Sequence, residues 1–149
     1  MNLDRVFAVV GSALDSQRQR LNIIAGNLAN AESTRTPEGG PYVRRDVVFQ
    51  TTAPERPFSF VFAQAFGDTS TEPAGVQITD IVEDPRPLRV IYDPDHPDAD
   101  EKGYLQLPNV NPVEEMVNLI SATRAYEANI AVMETGKTMT LRALQMGSN

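Results

Sequence analysis

At 149 residues with a formal net charge of −7 and no cysteine, the chain has room for one domain, or for a helical unit carrying a small insert, and it is badly suited to binding nucleic-acid phosphates. Without thiols, disulfides and cysteine-ligated metals are excluded. No apolar run approaches the roughly 18 residues that a membrane-spanning helix needs.

From the N-terminus, Leu3, Phe7, Val10, Leu14, Gln17, Leu21, Ile24, Leu28 and Ala31 follow alternating steps of four and three, which predicts a helix with a coiled-coil-like seam. The apolar run from Val6 to Leu14 raises the question of a secretion signal. Asp4 cancels Arg5 in its basic flank, and the helical period runs through the place where cleavage would fall, so mature helix is expected. Residues 25–31 are small or carry amides. A neighbouring backbone can come close there, and Asn27 and Asn30 can bond main-chain groups; Asn30 suits helix termination equally well.

All eleven prolines lie between Pro37 and Pro112. Proline is excluded from helix interiors, so this partition predicts an N-terminal helical arm over 1–31, a β-rich insert with linkers over 32–112, and a C-terminal helical arm over 113–149, the two arms forming one helical domain. The charge divides the same way, at +1, −7 and −1. Within the insert, strands are expected at Tyr42 to Thr52, Phe58 to Phe62, Gly75 to Glu83, Leu88 to Tyr92 and Tyr104 to Leu107, forming one small, mostly antiparallel sheet. The expected fold class is mainly α with a small β insert.

Nothing in the insert suggests catalysis or a cofactor. The acidic stretch from Asp93 to Glu101 lacks calcium-loop spacing, because Pro97 stands at the third ligand position, and His96 has no second imidazole or thiol to share a zinc ion. Neither a nucleophile-elbow motif nor a glycine-rich phosphate loop is present. No catalytic, metal or cofactor-binding residue is therefore expected, and the chain is not expected to be an enzyme. With Pro94 and Pro97, the acidic stretch reads as a stiff linker between the last strands and the C-terminal helix.

That helix is the longest element in the sequence, from Pro112 to Met146. Asn111 is placed to cap it, Pro112 suits its first position, Glu114 is placed to close a capping box, and Gly147 marks its end. A seam is expected through Met116, Ile120, Thr123, Tyr126, Ile130, Met133, Thr140 and Leu144. Val117, Leu119, Ala122, Ala125, Ala128, Ala131, Val132 and Leu141 make the rest of the circumference weakly polar too, and a helix apolar nearly all round is normally buried nearly all round. At about 35 residues it would be roughly 50 Å long, more than one intramolecular partner can cover. The residues expected at an assembly interface are Leu14, Leu21, Ile24, Asn27, Leu28 and Asn30 in the first arm, with Met116, Ile120, Tyr126, Ile130 and Met133 in the second.

Two stretches resemble one family. The N-terminal GSALDSQRQRLNIIAGNLANAEST is similar to the rod and hook signature in which a helix ends in Asn-Leu-Ala-Asn, with Gly26 where Ser or Asn is more usual. The stretch from Tyr92 to Met139 resembles the proximal-rod (FlgC) branch of the flagellar basal-body rod proteins, and the short insert fits that branch. The resemblance implies a structural subunit that polymerises through its terminal helices into the drive shaft crossing the periplasm, transmitting torque and enclosing the export channel. It also implies export through the flagellar type III apparatus without a cleavable signal. Its implied partners are other rod proteins and copies of itself, with no nucleic acid and no direct membrane insertion. A helical binding module, such as a secretion chaperone holding a client in an apolar groove, is the alternative. Peripheral membrane binding ranks last, because the polar helix faces lack Lys and Arg enrichment.

Overall fold

The computed structural model describes residues 3–37, 39–52 and 75–147, so the strand expected at Phe58 to Phe62 lies outside the described residues. Two long helices carry the architecture, α1 over Leu3–Ala29 and α2 over Pro112–Gly147. They run antiparallel: the Phe7 ring lies over Gly136 at one end, and Asn27 bonds Glu115 at the other. Asn111 caps α2 as expected, its Oδ1 accepting the Val113 amide at 3.0 Å. Glu114 turns instead to Arg86 at 3.4 Å, and both first-turn acids lie at the positive end of the helix dipole.

The α1 seam faces inward as its heptads require, with Val10 and Ile24 buried and Phe7, Leu14, Gln17, Leu21 and Leu28 half-buried. The seam of α2 holds Tyr126, Met133 and Thr140 as expected, but elsewhere it runs one residue out of the expected phase. Glu115, Ala122 and Gly136 are buried, with Leu119, Tyr126, Met133 and Thr140 half-buried between them. Met116, Ile120, Thr123, Ile130 and Leu144, expected on the seam, are exposed. Periodicity could not fix the phase because α2 is apolar nearly all round. Small side chains decide it: a Cβ added to Gly136 would sit only 3.2 Å from the Phe7 ring, so the close approach of α1 depends on glycine there.

Among the described residues the insert forms two separate two-stranded sheets rather than the one expected. In the first, β1 (Arg45–Thr52) pairs antiparallel with β2 (Gly75–Glu83), from Arg45 opposite Glu83 to Thr52 opposite Gly75, with a bulge between Val48 and Phe49. In the second, β3 (Arg89–Tyr92) pairs with β4 (Tyr104–Leu107). Between β2 and β3 stand Pro85 and Pro87, which lack the amide donors a continuous ladder would need.

The β1–β2 ribbon is fastened along α1. Ser12 Oγ accepts the Val76 amide at 3.1 Å, Ser16 Oγ donates to the Val76 carbonyl at 3.2 Å, and a Cβ on Gly75 would overlap Ser12 Oγ. The acidic stretch from Asp93 to Glu101 is the connection inside the β3–β4 hairpin, not the linker to the helix. It is pinned by Asp100 Oδ1, which accepts the Lys102 and Tyr104 amides at 2.8 Å, by Gly103 at φ +79°, and by Thr34 donating to Asp98 at 2.7 Å. The linker into α2 is Pro108 to Asn111, whose first three residues are buried.

Candidate assembly interface and the polar cluster at its base

Where the hairpin of α1 and α2 meets the insert, the largest fully buried side chains include Glu115 and Asn27, both 0% exposed. A carboxylate taken out of water needs a charge partner and hydrogen bonds. Arg44 supplies the first, its Nε donating to Glu115 Oε1 at 2.9 Å. Asn27 Nδ2 reaches Glu115 Oε2 at 3.1 Å and also donates to the Arg45 carbonyl at 2.8 Å. Asn27 Oδ1 accepts the Tyr42 hydroxyl at 2.9 Å and the Arg45 amide at 3.0 Å, so the amide makes all four of its bonds.

The cluster continues into the insert. Arg44 Nη1 reaches Asp46 at 3.0 Å and Asp84 at 3.3 Å, while the Arg44 amide donates to Asn109 Oδ1 at 2.8 Å. Asn109 Nδ2 in turn holds the carbonyls of Asp84 and Arg86 at 3.2 and 2.9 Å. Burial alone would make the Arg44 guanidinium easier to deprotonate, but its bonds to Glu115 and Asp46 outweigh this and raise its pKa. Arg86 beside Asp84 holds that carboxyl below its ordinary range. Burial pushes the Tyr42 phenol up.

On the outer side of α2, the surface changes character. Val113, Met116, Val117 and Ile120 form an exposed apolar patch on the outer side of the first turns of α2, with Ile120 55% exposed. Further along, Ile130, Val132, Met139, Leu141, Leu144 and Met146 are also exposed. Val6, Val132, Gly136, Met139 and Ala143 line an apolar groove of about 510 Å³ beside Phe7's end of the hairpin.

Of the residues expected at an assembly interface, the structure thus makes three groups. Ile24 and Asn27 are buried within the chain; Leu14, Leu21, Leu28, Asn30, Tyr126 and Met133 are half-buried; Met116, Ile120 and Ile130 face outward. Asn30 closes the end of α1, its Nδ2 donating to the Gly26 carbonyl at 2.9 Å and its Oδ1 accepting Ser33 Oγ at 3.2 Å. Sequence reasoning missed Tyr42, Arg44, Asn109 and Glu115. Glu115 was hidden behind its neighbour Glu114, and the only signal was an acidic residue at the phase where α2 turns out to be buried.

No group of three or more His, Cys, Asp or Glu among the described residues is arranged to hold a metal ion, and His96 Nδ1 accepts the Asp98 amide at 3.1 Å. No helix among them is long and apolar enough to cross a membrane.

A family model described as "Flagella basal body rod protein" matches residues 7–35, and one described as "Flagellar basal body rod FlgEFG protein C-terminal" matches residues 101–146. The flagellar basal-body rod protein FlgC of Yersinia enterocolitica is 42% identical over 147 residues, 99% of either chain. The chain belongs to the FlgC family of flagellar basal-body rod proteins. FlgC of Escherichia coli O157:H7 is 44% identical over 147 residues, again 99% of each chain, and FlgC of Bacillus subtilis is 39% identical over 143 residues, 93% of this chain and 94% of the relative. The two segments matched by rod-family models contain most of α1 with Asn27 and nearly all of α2 with Glu115, the two halves that the polar cluster joins.

Proposed function

We propose that this rod subunit polymerises through the α1–α2 hairpin into the proximal part of the flagellar rod, the helices lining the inner tube around the export channel and the acidic insert facing outward. It meets other rod proteins and copies of itself there, and it arrives through the flagellar export apparatus. The assembled shaft crosses the periplasm and carries torque. Its role is structural, with no reaction to catalyse.

The observation that carries this reading is the uncovered side of α2. A 36-residue helix is about 54 Å long, and α1 covers one face of it while Met116, Val117, Ile120, Ile130 and Met139 stand in water. Such an extended apolar strip on a long helix favours burial by several neighbours at once. The groove of Val6, Val132 and Met139 could equally hold a client, as in a secretion chaperone, but nothing in that reading accounts for membership of a rod family.

The test is Ile130→Asp in the natural chain. A charge buried at a subunit contact costs several kcal/mol, so rod assembly and motility should be lost while the protein is still made and exported. Unimpaired swimming would exclude Ile130 from the contact. Purified chain that binds an export client and ignores rod proteins would favour the chaperone reading.

A further inference from the structure

We propose that the Asn27–Arg44–Glu115 cluster is a conditional latch, which lets the base of the helical hairpin close only when the insert has folded. The argument starts from which element supplies each bond. Glu115 belongs to α2 and Asn27 to α1, so closing the hairpin brings them together; yet among the described residues the only charge partner of the buried carboxylate is Arg44, which belongs to the insert. Within α2, Glu115 Oε1 also accepts a long, weak bond from Asn118 Nδ2 at 3.5 Å.

Asn27 depends on the insert as well. Three of its four hydrogen bonds go to Tyr42 and to the backbone of Arg45. Arg44 is itself held by Asp46, Asp84 and Asn109, residues that come together only when β1 and the turn after β2 are in place. If the insert is unfolded, docking α1 on α2 would strip water from a carboxylate and an amide and give them only each other. Removing one partner of a buried pair is strongly unfavourable, because the remaining charge is left uncompensated.

Of the buried apolar residues described in the two helices, only Ile24 and Ala122 lie toward this end, while the buried Pro108 and Val110 belong to the linker from the insert. Closure of the hairpin base therefore depends heavily on what the insert supplies. The consequence for the subunit is an order of events: its outer apolar patch at Val113 to Ile120 is set on a closed, registered hairpin only after the insert is built. This inference concerns the chain alone and does not depend on how it assembles.

Amide hydrogen exchange on the full-length chain tests it, using Asn109→Ala to weaken the insert without touching either helix. In the natural background this substitution should speed exchange by about tenfold both in residues 42–50 and in residues 21–29 and 113–122, because they open together. In a Glu115→Met background, which leaves Arg44 paired with Asp46 and Asp84 and Asn27 bonded to Tyr42 and Arg45, the same substitution should speed exchange in 42–50 and 21–29 but change residues 113–122 less than about twofold. Glu115→Gln should also weaken the coupling, since it removes the charge at nearly constant volume.

Three results would overturn the proposal. One is unchanged helix exchange on Asn109→Ala in the natural background. Another is equal coupling in all three backgrounds. The third is loss of the helical circular-dichroism signal in the Glu115→Met chain, because an apolar side chain at that position should ease closure.

Discussion

The two ends of the helical hairpin are built on opposite principles. At the base, α1 and α2 meet through a buried, hydrogen-bonded cluster that reaches into the insert; at the far end they meet through a phenyl ring over a glycine, while Leu144 and Met146 stand 66% and 76% exposed. The polar groups buried at the base are satisfied within the chain, although the outer side of the same turns is apolar and exposed. The far end has no such cluster among the described residues, and they leave its apolar surface uncovered. Polar satisfaction is directional and closes on itself, whereas apolar contact is tolerant of partner, so a subunit that must keep one internal geometry while meeting several neighbours gains from having each in its own place.

The most severe way to break this contrast is Arg44→Ala. It leaves Glu115 buried without its cation, and the expected loss of stability is about 3–5 kcal/mol. Urea unfolding followed by circular dichroism measures it. Gly136→Val attacks the other end, where its Cβ would meet Phe7 and its branches would need more room still; overpacking of that kind costs about 1–3 kcal/mol. The comparison predicts that faster exchange in Gly136→Val stays within roughly the first ten residues of α1 and the last fifteen of α2. Loss of protection at the base as well would mean the two ends are one unit.

Acid should also distinguish them, more gently. Asp84 is held below its ordinary pKa of 3.8 chiefly by the hydrogen bonds from Arg86. The folded state therefore binds this proton less tightly than the unfolded chain, so the stabilisation is complete above the ordinary carboxylate range and is lost as pH falls through the depressed folded value. Arg86 is half exposed, so solvent screening keeps the effect small. Asp84→Asn should remove this part of the acid sensitivity at the base. Unfolding curves for the two chains at pH 3 and pH 7 that differ by the same amount would refute the assignment.

How much of this could be read from the chain follows from the kind of interaction involved. The ends of α2 and the strand bounds at Gly75 to Glu83 and Tyr104 to Leu107 depend on local rules, and they are legible. The phase of α2 is not local. It depends on Ala122 and Gly136 admitting α1 and on Glu115 finding Arg44, which lies 71 residues away in sequence, and no periodicity contains that pairing. The acidic loop was misplaced for a similar reason: β3 and β4 are four residues each, and only their pairing reveals that the prolines at 94 and 97 sit in a hairpin connection. Asn27 and Asn30 were legible as backbone-bonding amides, but not which of the two would be buried.

The smallest expected effect on the folded chain is the one that tests the outer apolar patch of α2. Leu21 and Ile120 both lie on apolar periodicities, and from sequence an aspartate at either would break a buried seam. The structure separates them. Leu21 is half-buried on the inner side of α1, so Leu21→Asp should destabilise the isolated chain by about 2 kcal/mol or more and lower assembly through folding. Ile120 faces water, so Ile120→Asp should change the chain's own stability by no more than about 0.5 kcal/mol. If the outer patch of α2 is a subunit contact, the same substitution should nevertheless abolish co-sedimentation with rod proteins, because the carboxylate would then have to be buried without a partner. The informative quantity is the ratio of the two losses. Ile120→Asp that keeps full stability and full association would leave the patch as surface, and Ile120→Asp that unfolds the chain would mean that α2 is covered on a side where the structure leaves it bare.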